Sequence, residues 1–254
     1  MAHPFFSGTQ IPPLNWENFI RMAGRAALQW ITPPCCLLCY DQPESRSGLC
    51  RDCWQKLPFI RDPQCLSCAR ALTHPGICGQ CQQRPPVYDS AIAPLAYDNP
   101  VNEMLCALKY RQHLSFARPI AGVMVDAVVT QRQKRPDMLC AVPMTSRALR
   151  KRGLNQSIFI ARFVSRGLGI PLCAALLKKI RHTDQQSALS AKNRQSNLDN
   201  AFACRRRLDG RHVALIDDIL TTGATANEIS KILKAAGAVR VDLWACARTA
   251  RSSR

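Results

Sequence analysis

The segment 213–225, Val-Ala-Leu-Ile-Asp-Asp-Ile-Leu-Thr-Thr-Gly-Ala-Thr, decides the fold and points to a ligand. Its apolar run, Val213 to Ile216, predicts a buried strand that stops at the adjacent carboxylates of Asp217 and Asp218. A loop of small hydroxyl and glycine residues follows from Thr221 to Thr225, and a helical pattern begins at once. Unpaired backbone amides at a helix start attract phosphate, whereas carboxylates accept hydrogen bonds from sugar hydroxyls. The segment therefore predicts a sugar-phosphate site; the alternative is an acidic loop that caps an ordinary helix.

Around this segment, apolar strands alternate with helical patterns from Tyr88 to the end of the chain. Strands are predicted at 90–97, 138–142, 213–216 and 239–247, with a short one at 201–203, and helices at 100–110, 114–131, 155–168 and 224–236. Such alternation predicts a parallel sheet with helices on its faces, whose ligands bind at the carboxyl ends of the strands. Asp217 and the turn at Pro143 both follow strands, so they are expected to converge.

Four Cys-x-x-Cys knuckles precede the strands and account for eight of the fourteen cysteines of the chain. Each knuckle places two thiolates on one side of a tight turn, and two knuckles supply the four ligands of a structural zinc site. Sequential pairing of the knuckles gives two zinc sites, although interleaved pairing is equally compatible with the spacing. The predicted ligands are Cys36, Cys39, Cys50 and Cys53 for the first site, and Cys65, Cys68, Cys78 and Cys81 for the second.

Disulfides are the competing explanation for these cysteines. The chain shows no secretory signal, so a reducing compartment and zinc are favoured, and a cytoplasmic location is expected. No run is long enough to span a bilayer, and an amphipathic helix at 16–31 is predicted to pack or dock rather than to anchor in a membrane.

Positive charge is concentrated in the second half of the chain. The formal net charge is +18, and residues 141–211 hold fifteen Lys or Arg against three acids. This balance favours polyanionic partners such as nucleic acid or polyphosphorylated ligands, whereas scattered charge alone would only keep the surface soluble.

The acidic pair and threonine loop resemble the 5-phosphoribosyl-1-pyrophosphate (PRPP) motif of type I phosphoribosyltransferases. Together with the knuckles, they make nearly the whole chain resemble the ComF family of competence proteins. The resemblance implies a type I phosphoribosyltransferase-like parallel sheet flanked by helices. The implied domains are an N-terminal helical segment at 1–34, a double zinc-ribbon module at 35–83 and a phosphoribosyltransferase-like domain at 84–254. Further matching segments are Leu108-Lys109-Tyr110, Val142-Pro143, Arg152-Gly153-Leu154-Asn155-Gln156 and Gln186-Ser187-Ala188-Leu189-Ser190.

The resemblance also implies roles for individual residues. Asp217 and Asp218 would hold the ribose hydroxyls, and the loop of Thr221, Thr222, Gly223, Ala224 and Thr225 would enclose the 5′-phosphate. Residues 144–147 would form the pyrophosphate loop, and 181–197 would include the catalytic loop. Cleavage of the C1–O bond places negative charge on the departing pyrophosphate, which Mg²⁺ and cationic side chains would stabilise. The candidate cations are Arg147, Arg150, Arg152 and Arg194, the last grouped with the two aspartates as catalytic.

Three functions are compatible with this resemblance. The first is a phosphoribosyltransferase-like protein that binds Mg-PRPP and is linked to DNA uptake, with incoming single-stranded DNA or DNA-uptake and recombination proteins as partners. The second is a non-catalytic PRPP sensor or adaptor that binds nucleic acid or those same proteins. Nucleotide salvage ranks last, because no base-recognition pocket is evident in the sequence.

Overall fold

The computed structural model describes residues 35–41, 47–61, 63–131, 134–180 and 201–249. The amphipathic helix predicted at 16–31 lies outside these residues, as do Arg194 and the whole of the predicted catalytic loop at 181–197. Within the described residues, no helix is both long enough and apolar enough to cross a bilayer.

A parallel sheet flanked by helices forms the larger part of the described chain, as predicted. Its order is β1 (Ser90–Ile92), β7 (Arg240–Arg248), β6 (His212–Leu220) and β3 (Met138–Ala141), and β2 (Leu95–Ala96) also pairs with β7. The register places Ile216 beside Ala141 on one side and Trp244 on the other. The central strand β6 therefore carries the acidic pair, and β3 ends next to it.

Four of the seven helices in the described residues follow the predicted segments closely, and the three at Arg51–Gln55, Gly79–Gln83 and Ser146–Arg152 were not predicted. The seven helices are α1 (Arg51–Gln55), α2 (Gly79–Gln83), α3 (Val101–Tyr110), α4 (Ala117–Thr130), α5 (Ser146–Arg152), α6 (Gln156–Leu168) and α7 (Ala224–Ala235), with a 3-10 turn at Leu114–Phe116. A two-stranded antiparallel hairpin, β4 (Leu177–Lys179) with β5 (Phe202–Cys204), lies apart from the main sheet.

Alternation along the central strands divides the core into two layers. Ala214 and Ile216 of β6 pack with α3, α4 and α6, whereas Val213 and Leu215 pack with α7 and the hairpin. This follows from the two-residue period of a strand, which sends successive side chains to opposite faces. The first cysteine module joins the former layer through Cys36 and neighbouring apolar residues.

Two strands differ from the sequence-based expectation. The predicted strand at 90–97 is split into β1 and β2 around Pro94, which has no amide to donate to the ladder. Strand β6 does not stop at Asp217 but continues to Leu220, because Ile219 and Leu220 keep their pairing with β7. The acidic pair therefore lies inside β6, near its carboxyl end, and not in the loop that follows it.

Candidate functional site

The loop between β6 and α7 has the geometry of an anion cradle. Gly223 adopts a φ of 78°, the left-handed conformation that glycine tolerates best, and α7 begins at the next residue. The Ala224 amide donates to Thr222 Oγ1 at 3.3 Å. Gly223 is the N-cap residue of α7, and because glycine has no side chain it offers the first-turn amides no acceptor. Thr221 and Thr222 are exposed beside these amides.

The hydroxyl of Tyr88 lies close to Gly223 in this loop. A Cβ on Gly223 would lie 3.0 Å from the hydroxyl oxygen of Tyr88, which is itself buried. Burial raises the pKa of Tyr88 above its ordinary value, so this hydroxyl stays neutral. Position 223 is therefore restricted both by its backbone conformation and by the space available.

Strand β6 presents the two aspartates in different surroundings. Asp218 is buried; its Oδ1 accepts from the Ile219 amide at 2.9 Å, and its Oδ2 accepts from Gln156 Nε2 at 3.0 Å. Lys109 Nζ lies 3.6 Å from the same Oδ2. Asp217 is only half-buried, and its Oδ1 accepts from the Asp218 amide at 2.9 Å.

The electrostatics of the pair follow from this arrangement. Burial, and next the negative charge of Asp218, raise the pKa of Asp217 well above its usual range, while the Lys109 ammonium acts in the opposite direction. One lysine thus faces two carboxylates. A second cation or hydroxyl donors would therefore stabilise the pair.

The carboxyl end of β3 lies beside the acidic pair. The Val142 amide donates to the Ile216 carbonyl at 3.0 Å, and Asn155 Nδ2 donates to the Val142 carbonyl at 3.0 Å. Thr145 caps α5 by accepting from the Ala148 amide at 3.1 Å. The Pro143 turn and the acidic pair therefore converge, as the sequence predicts.

The predicted arginines lie on the helix that follows this turn. Arg147 and Arg150 are exposed on α5, and the Arg152 guanidinium lies over the Tyr110 ring at 5.6 Å. Among the described residues, no ion pair joins these three side chains to the acidic pair. They surround the turn rather than contact the aspartates directly.

Arg248 supports the loop from the last position of β7. Its side chain is buried, and one guanidinium nitrogen donates to the carbonyls of Leu220 at 3.2 Å and Thr221 at 2.9 Å. Burial raises the pKa of Cys68, and the positive charge of Arg248 opposes that shift. Arg248 thus joins the end of β7 to the loop through two backbone carbonyls.

The cysteines form two compact clusters in sequential order. Within each cluster, the four sulfurs all lie within 4.8 Å of one another. The Cys39–Cys50 and Cys68–Cys78 sulfur pairs are 3.9 Å and 3.8 Å apart. A tetrahedral site with zinc–sulfur bonds of about 2.3 Å has sulfur–sulfur edges of about 3.8 Å. The clusters therefore have the dimensions of two structural zinc sites.

In each cluster, backbone amides favour the thiolate of one cysteine, whereas burial raises the pKa of other members such as Cys53. The Cys53 amide donates to Cys50 Sγ at 3.4 Å, and the Cys78 amide donates to Cys65 Sγ at 3.3 Å. Burial acts to raise the pKa of Cys65, but hydrogen bonds from backbone amides outweigh it and lower the value to about 7. The same balance lowers the pKa of Cys36 to about 6. Thiolates are the form that binds zinc.

Comparison with known proteins agrees with both parts of this geometry. Residues 27–82 match the model of the double zinc ribbon domain, and residues 154–253 match that of the phosphoribosyl transferase domain. The chain is 32% identical over 212 residues to Competence protein F of Haemophilus influenzae, covering 80% of this chain and 92% of that protein. The chain belongs to the ComF family.

Other ComF-family relatives extend the comparison. DNA utilization protein YhgH of Salmonella typhimurium is 31% identical over 223 residues, covering 85% of this chain and 98% of that protein. Competence protein ComFC of Bacillus subtilis is 26% identical over 213 residues, covering 82% and 75%. The zinc-ribbon and phosphoribosyltransferase-like modules predicted from the motifs are thus confirmed at the level of family and fold.

Several contacts at the acidic pair were not assigned from sequence. Gln156 and Lys109 fall in segments that carry the ComF resemblance, but spacing alone gives them no role. Ser157 Oγ lies 3.4 Å from Asp217 Oδ1, and no sequence pattern predicted this contact. Tyr88 and Arg248 lie near opposite ends of the domain in sequence, and only the fold brings both of them next to the loop.

Proposed function

We propose that this ComF-family chain binds Mg-PRPP at the carboxyl end of β6. The observation that carries the proposal is the continuity of the acidic pair with a left-handed Gly223 loop at the start of α7. In this pose the amides and hydroxyls of residues 221–225 hold the 5′-phosphate. Asp217 and Asp218 accept hydrogen bonds from the ribose hydroxyls.

Magnesium and the arginines complete the proposed site. Burial, and next the negative charge of Asp218, raise the pKa of Asp217, so a divalent cation bound with the ligand relieves the repulsion between the two carboxylates. The pyrophosphate lies toward the Pro143 turn, where Arg147, Arg150 and Arg152 supply positive charge. Arg194, which lies in the sequence between β4 and β5, is proposed as a further cation of this group. When the ligand reacts, these residues stabilise charge on the leaving group.

The eight clustered cysteines are proposed to hold two zinc ions with a structural role. Four thiolates per cluster leave no position for water or substrate, which is the arrangement of structural rather than catalytic zinc. Thiolate sites of this kind suit a reducing compartment, in accord with a cytoplasmic location.

A link to DNA uptake is proposed from the relatives. Two of them carry names that refer to competence and one to DNA utilization, and they align with most of this chain. The net charge of +18 suits a polyanionic partner such as incoming single-stranded DNA.

Calorimetric titration of the zinc-loaded chain with PRPP and Mg²⁺ tests the proposed site. Wild type should bind saturably, and the double variant Asp217→Asn with Asp218→Asn should lose binding while its far-ultraviolet circular dichroism stays unchanged. Asp209→Asn is the matched control, since this carboxylate is exposed and pairs only with Arg207 at 3.2 Å among the described residues. Equal affinity of wild type and double variant would refute the assignment.

Catalysis requires a separate measurement. Pyrophosphate release that depends on an added acceptor would establish a transferase, whereas saturable binding without release would establish a PRPP sensor. Both outcomes use the same ligand site.

A further inference from the structure

The C-terminal end of α3 contacts both parts of the proposed ligand site. Lys109 Nζ lies 3.6 Å from Asp218 Oδ2, in the acidic pair of β6. The Arg152 guanidinium lies over the ring of Tyr110 at 5.6 Å, and Gln112 Nε2 donates to the Arg152 carbonyl at 3.3 Å. Four consecutive residues, here called segment 109–112, therefore link the acidic pair to the arginine-bearing end of α5.

Segment 109–112 ends in an uncommon backbone conformation. Gln112 has a φ of 55°, in the left-handed region that residues with a Cβ seldom adopt. The turn is fixed because the His113 amide donates to the Ala107 carbonyl at 3.2 Å. The Leu114 amide also donates to the Gln112 carbonyl, at 2.8 Å. Such conformations persist where neighbouring contacts hold them, and they are frequent at ligand sites. The turn brings the Gln112 side chain to the end of α5.

A glycine at the end of α5 makes room for Gln112. Gly153 has a φ of 77° and ends α5, and a Cβ at this position would lie 3.1 Å from Gln112 Nε2. The Gln112 amide therefore packs directly against the backbone of the turn that follows α5. Two residues further on, Asn155 Nδ2 donates to the Val142 carbonyl beside the acidic pair. Gln112 thus contacts a turn that runs from the candidate arginines to the acidic pair.

Tyr110 fixes the direction of a cation that has no carboxylate partner. Its ring is 63% exposed, so its contact with Arg152 belongs to the surface of the site rather than to the apolar core. Among the described residues, no carboxylate forms an ion pair with Arg152. Such a guanidinium is available to an anion, and stacking on an aromatic ring restricts its rotamers before the anion arrives. Less conformational entropy is then lost on binding.

We propose that segment 109–112 makes the site selective for a ribose that carries pyrophosphate over ribose 5-phosphate. Lys109 holds Asp218 for the ribose hydroxyls, whereas Tyr110 and Gln112 hold Arg152 and the end of α5 for the pyrophosphate. Tyr110 and Gln112 act through Arg152, so they are positioning residues and not catalytic ones. This role rests on the proposed binding of Mg-PRPP, and it assigns one short element to the connection between the two halves of the site.

The test titrates the full-length, zinc-loaded chain with two ligands in the presence of Mg²⁺. PRPP uses both halves of the site, whereas ribose 5-phosphate uses only the threonine loop and the acidic pair. Tyr110→Leu and Gln112→Ala should each weaken PRPP binding by about threefold to tenfold, because Arg152 must then be ordered on binding. Each should change the affinity for ribose 5-phosphate by less than about twofold. Unchanged PRPP affinity in both variants would overturn the proposal, and so would equal weakening of both ligands.

Amide hydrogen exchange at saturating Mg-PRPP gives a second readout, which does not depend on how tightly ribose 5-phosphate binds. Bound PRPP should protect residues 144–153 and residues 221–226 in the wild type. In Tyr110→Leu and Gln112→Ala, protection should fall at 144–153 and remain at 221–226. A uniform loss of protection in both segments would indicate a purely structural role and contradict positioning.

Three further variants separate the contacts from general charge. Tyr110→Phe keeps the ring and should retain wild-type PRPP affinity. Arg111→Met removes an exposed cation whose side chain contacts neither Arg152 nor Asp218 among the described residues, so it should have little effect. A loss in Arg111→Met as large as that in Tyr110→Leu would refute the assigned contacts.

Lys109→Met should weaken PRPP and ribose 5-phosphate by the same factor, about tenfold, because Asp218 loses its cation. Wild-type PRPP affinity in this variant would overturn the role of Lys109.

The wild-type titration distinguishes this role from the proposed function. If the folded wild type binds no Mg-PRPP, the proposed function fails and the selectivity role fails with it. If the wild type binds Mg-PRPP and the variants at positions 110 and 112 match it with both ligands, only the role of segment 109–112 fails.

Discussion

Replacing Arg248 by methionine should loosen the loop between β6 and α7 while the sheet stays folded. Methionine keeps an unbranched apolar stem of similar length but removes the guanidinium that donates to the Leu220 and Thr221 carbonyls. The variant therefore tests whether a buried cation at the end of β7 holds the proposed phosphate loop in place.

The magnitude follows from what each carbonyl retains. A hydrogen bond from a charged donor contributes about 1.5–3 kcal/mol, so two such bonds set an upper limit of about 6 kcal/mol. The Leu220 carbonyl keeps the Thr249 amide at 3.2 Å, and Thr221 is exposed, so water replaces the donor there. Arg248 Nε is buried without an acceptor in the described structure, and its removal is favourable. We expect a net loss of about 2–3 kcal/mol in the free energy of unfolding.

Urea unfolding and amide hydrogen exchange measure the two parts of this effect. Exchange at residues 221–226 should accelerate in Arg248→Met beyond the change in global stability, and Mg-PRPP affinity should fall about tenfold or more because the loop must be ordered on binding. Arg240→Met is the control, since Arg240 lies at the other end of β7 and its Nε is 3.0 Å from Asp242 Oδ1.

The control variant should lose stability without a selective change in the loop. The reasoning is refuted if Arg248→Met leaves loop exchange and PRPP affinity at wild-type values. It is equally refuted if Arg240→Met changes them by the same factor, because the effect would then reflect stability alone.

Three further outcomes are expected. Gly223→Ala should lower PRPP affinity and cost about 1–2 kcal/mol in the free energy of unfolding, measured in urea, because of the left-handed backbone. Adding Tyr88→Phe to this variant should recover only the loss that comes from the close approach to the Tyr88 hydroxyl. Asp242→Asn should cost about 3–5 kcal/mol in the free energy of unfolding because it breaks a buried charge network. Burial acts to raise the pKa of Asp242, but the hydrogen bond with His212 opposes it, and the pKa is lowered. The stabilisation by Asp242 is therefore present above the ordinary pKa of 3.8 and lost as the pH falls below it, and acid titration of the variant should lack that loss. Cys68→Ser should leave about one zinc per chain instead of two by metal analysis, with Cys106→Ser as the control that retains both.

The motifs that sequence predicts well are those whose geometry is local. Segment 213–225 encodes a strand, an acidic pair, a tight loop and a helix start within thirteen residues, and the structure has all four, with the acidic pair inside the strand. Each knuckle is equally local, because two intervening residues determine the turn. Sequential pairing of the knuckles needed the structure, since spacing allowed interleaved pairing as well.

Strand β6 shows where local reasoning fails. Two adjacent carboxylates indicate the end of a buried strand, because burying charge is costly without partners. The strand nevertheless continues, since Gln156 and Lys109 reach Asp218 Oδ2 from α6 and α3, and the Ile219 amide donates to Asp218 Oδ1. Gln156 and Lys109 lie 62 and 109 residues before Asp218 in the sequence and share no motif with it. Only the packing of two separate helices on one face of the sheet brings them to β6.

The relation between the second cysteine cluster and the loop has the same origin. Sequence treats residues 65–81 as a separate module, and nothing in its spacing refers to segment 213–225. In the folded chain, Ala69 packs in the same apolar layer as Tyr88, and Arg248 acts on both Cys68 and the loop carbonyls. A metal site that orders Ala69 thus also restrains the residues beneath Gly223. Loss of the second zinc is therefore expected to loosen the proposed ligand site, whereas the first cluster packs on the opposite layer with α3 and α4.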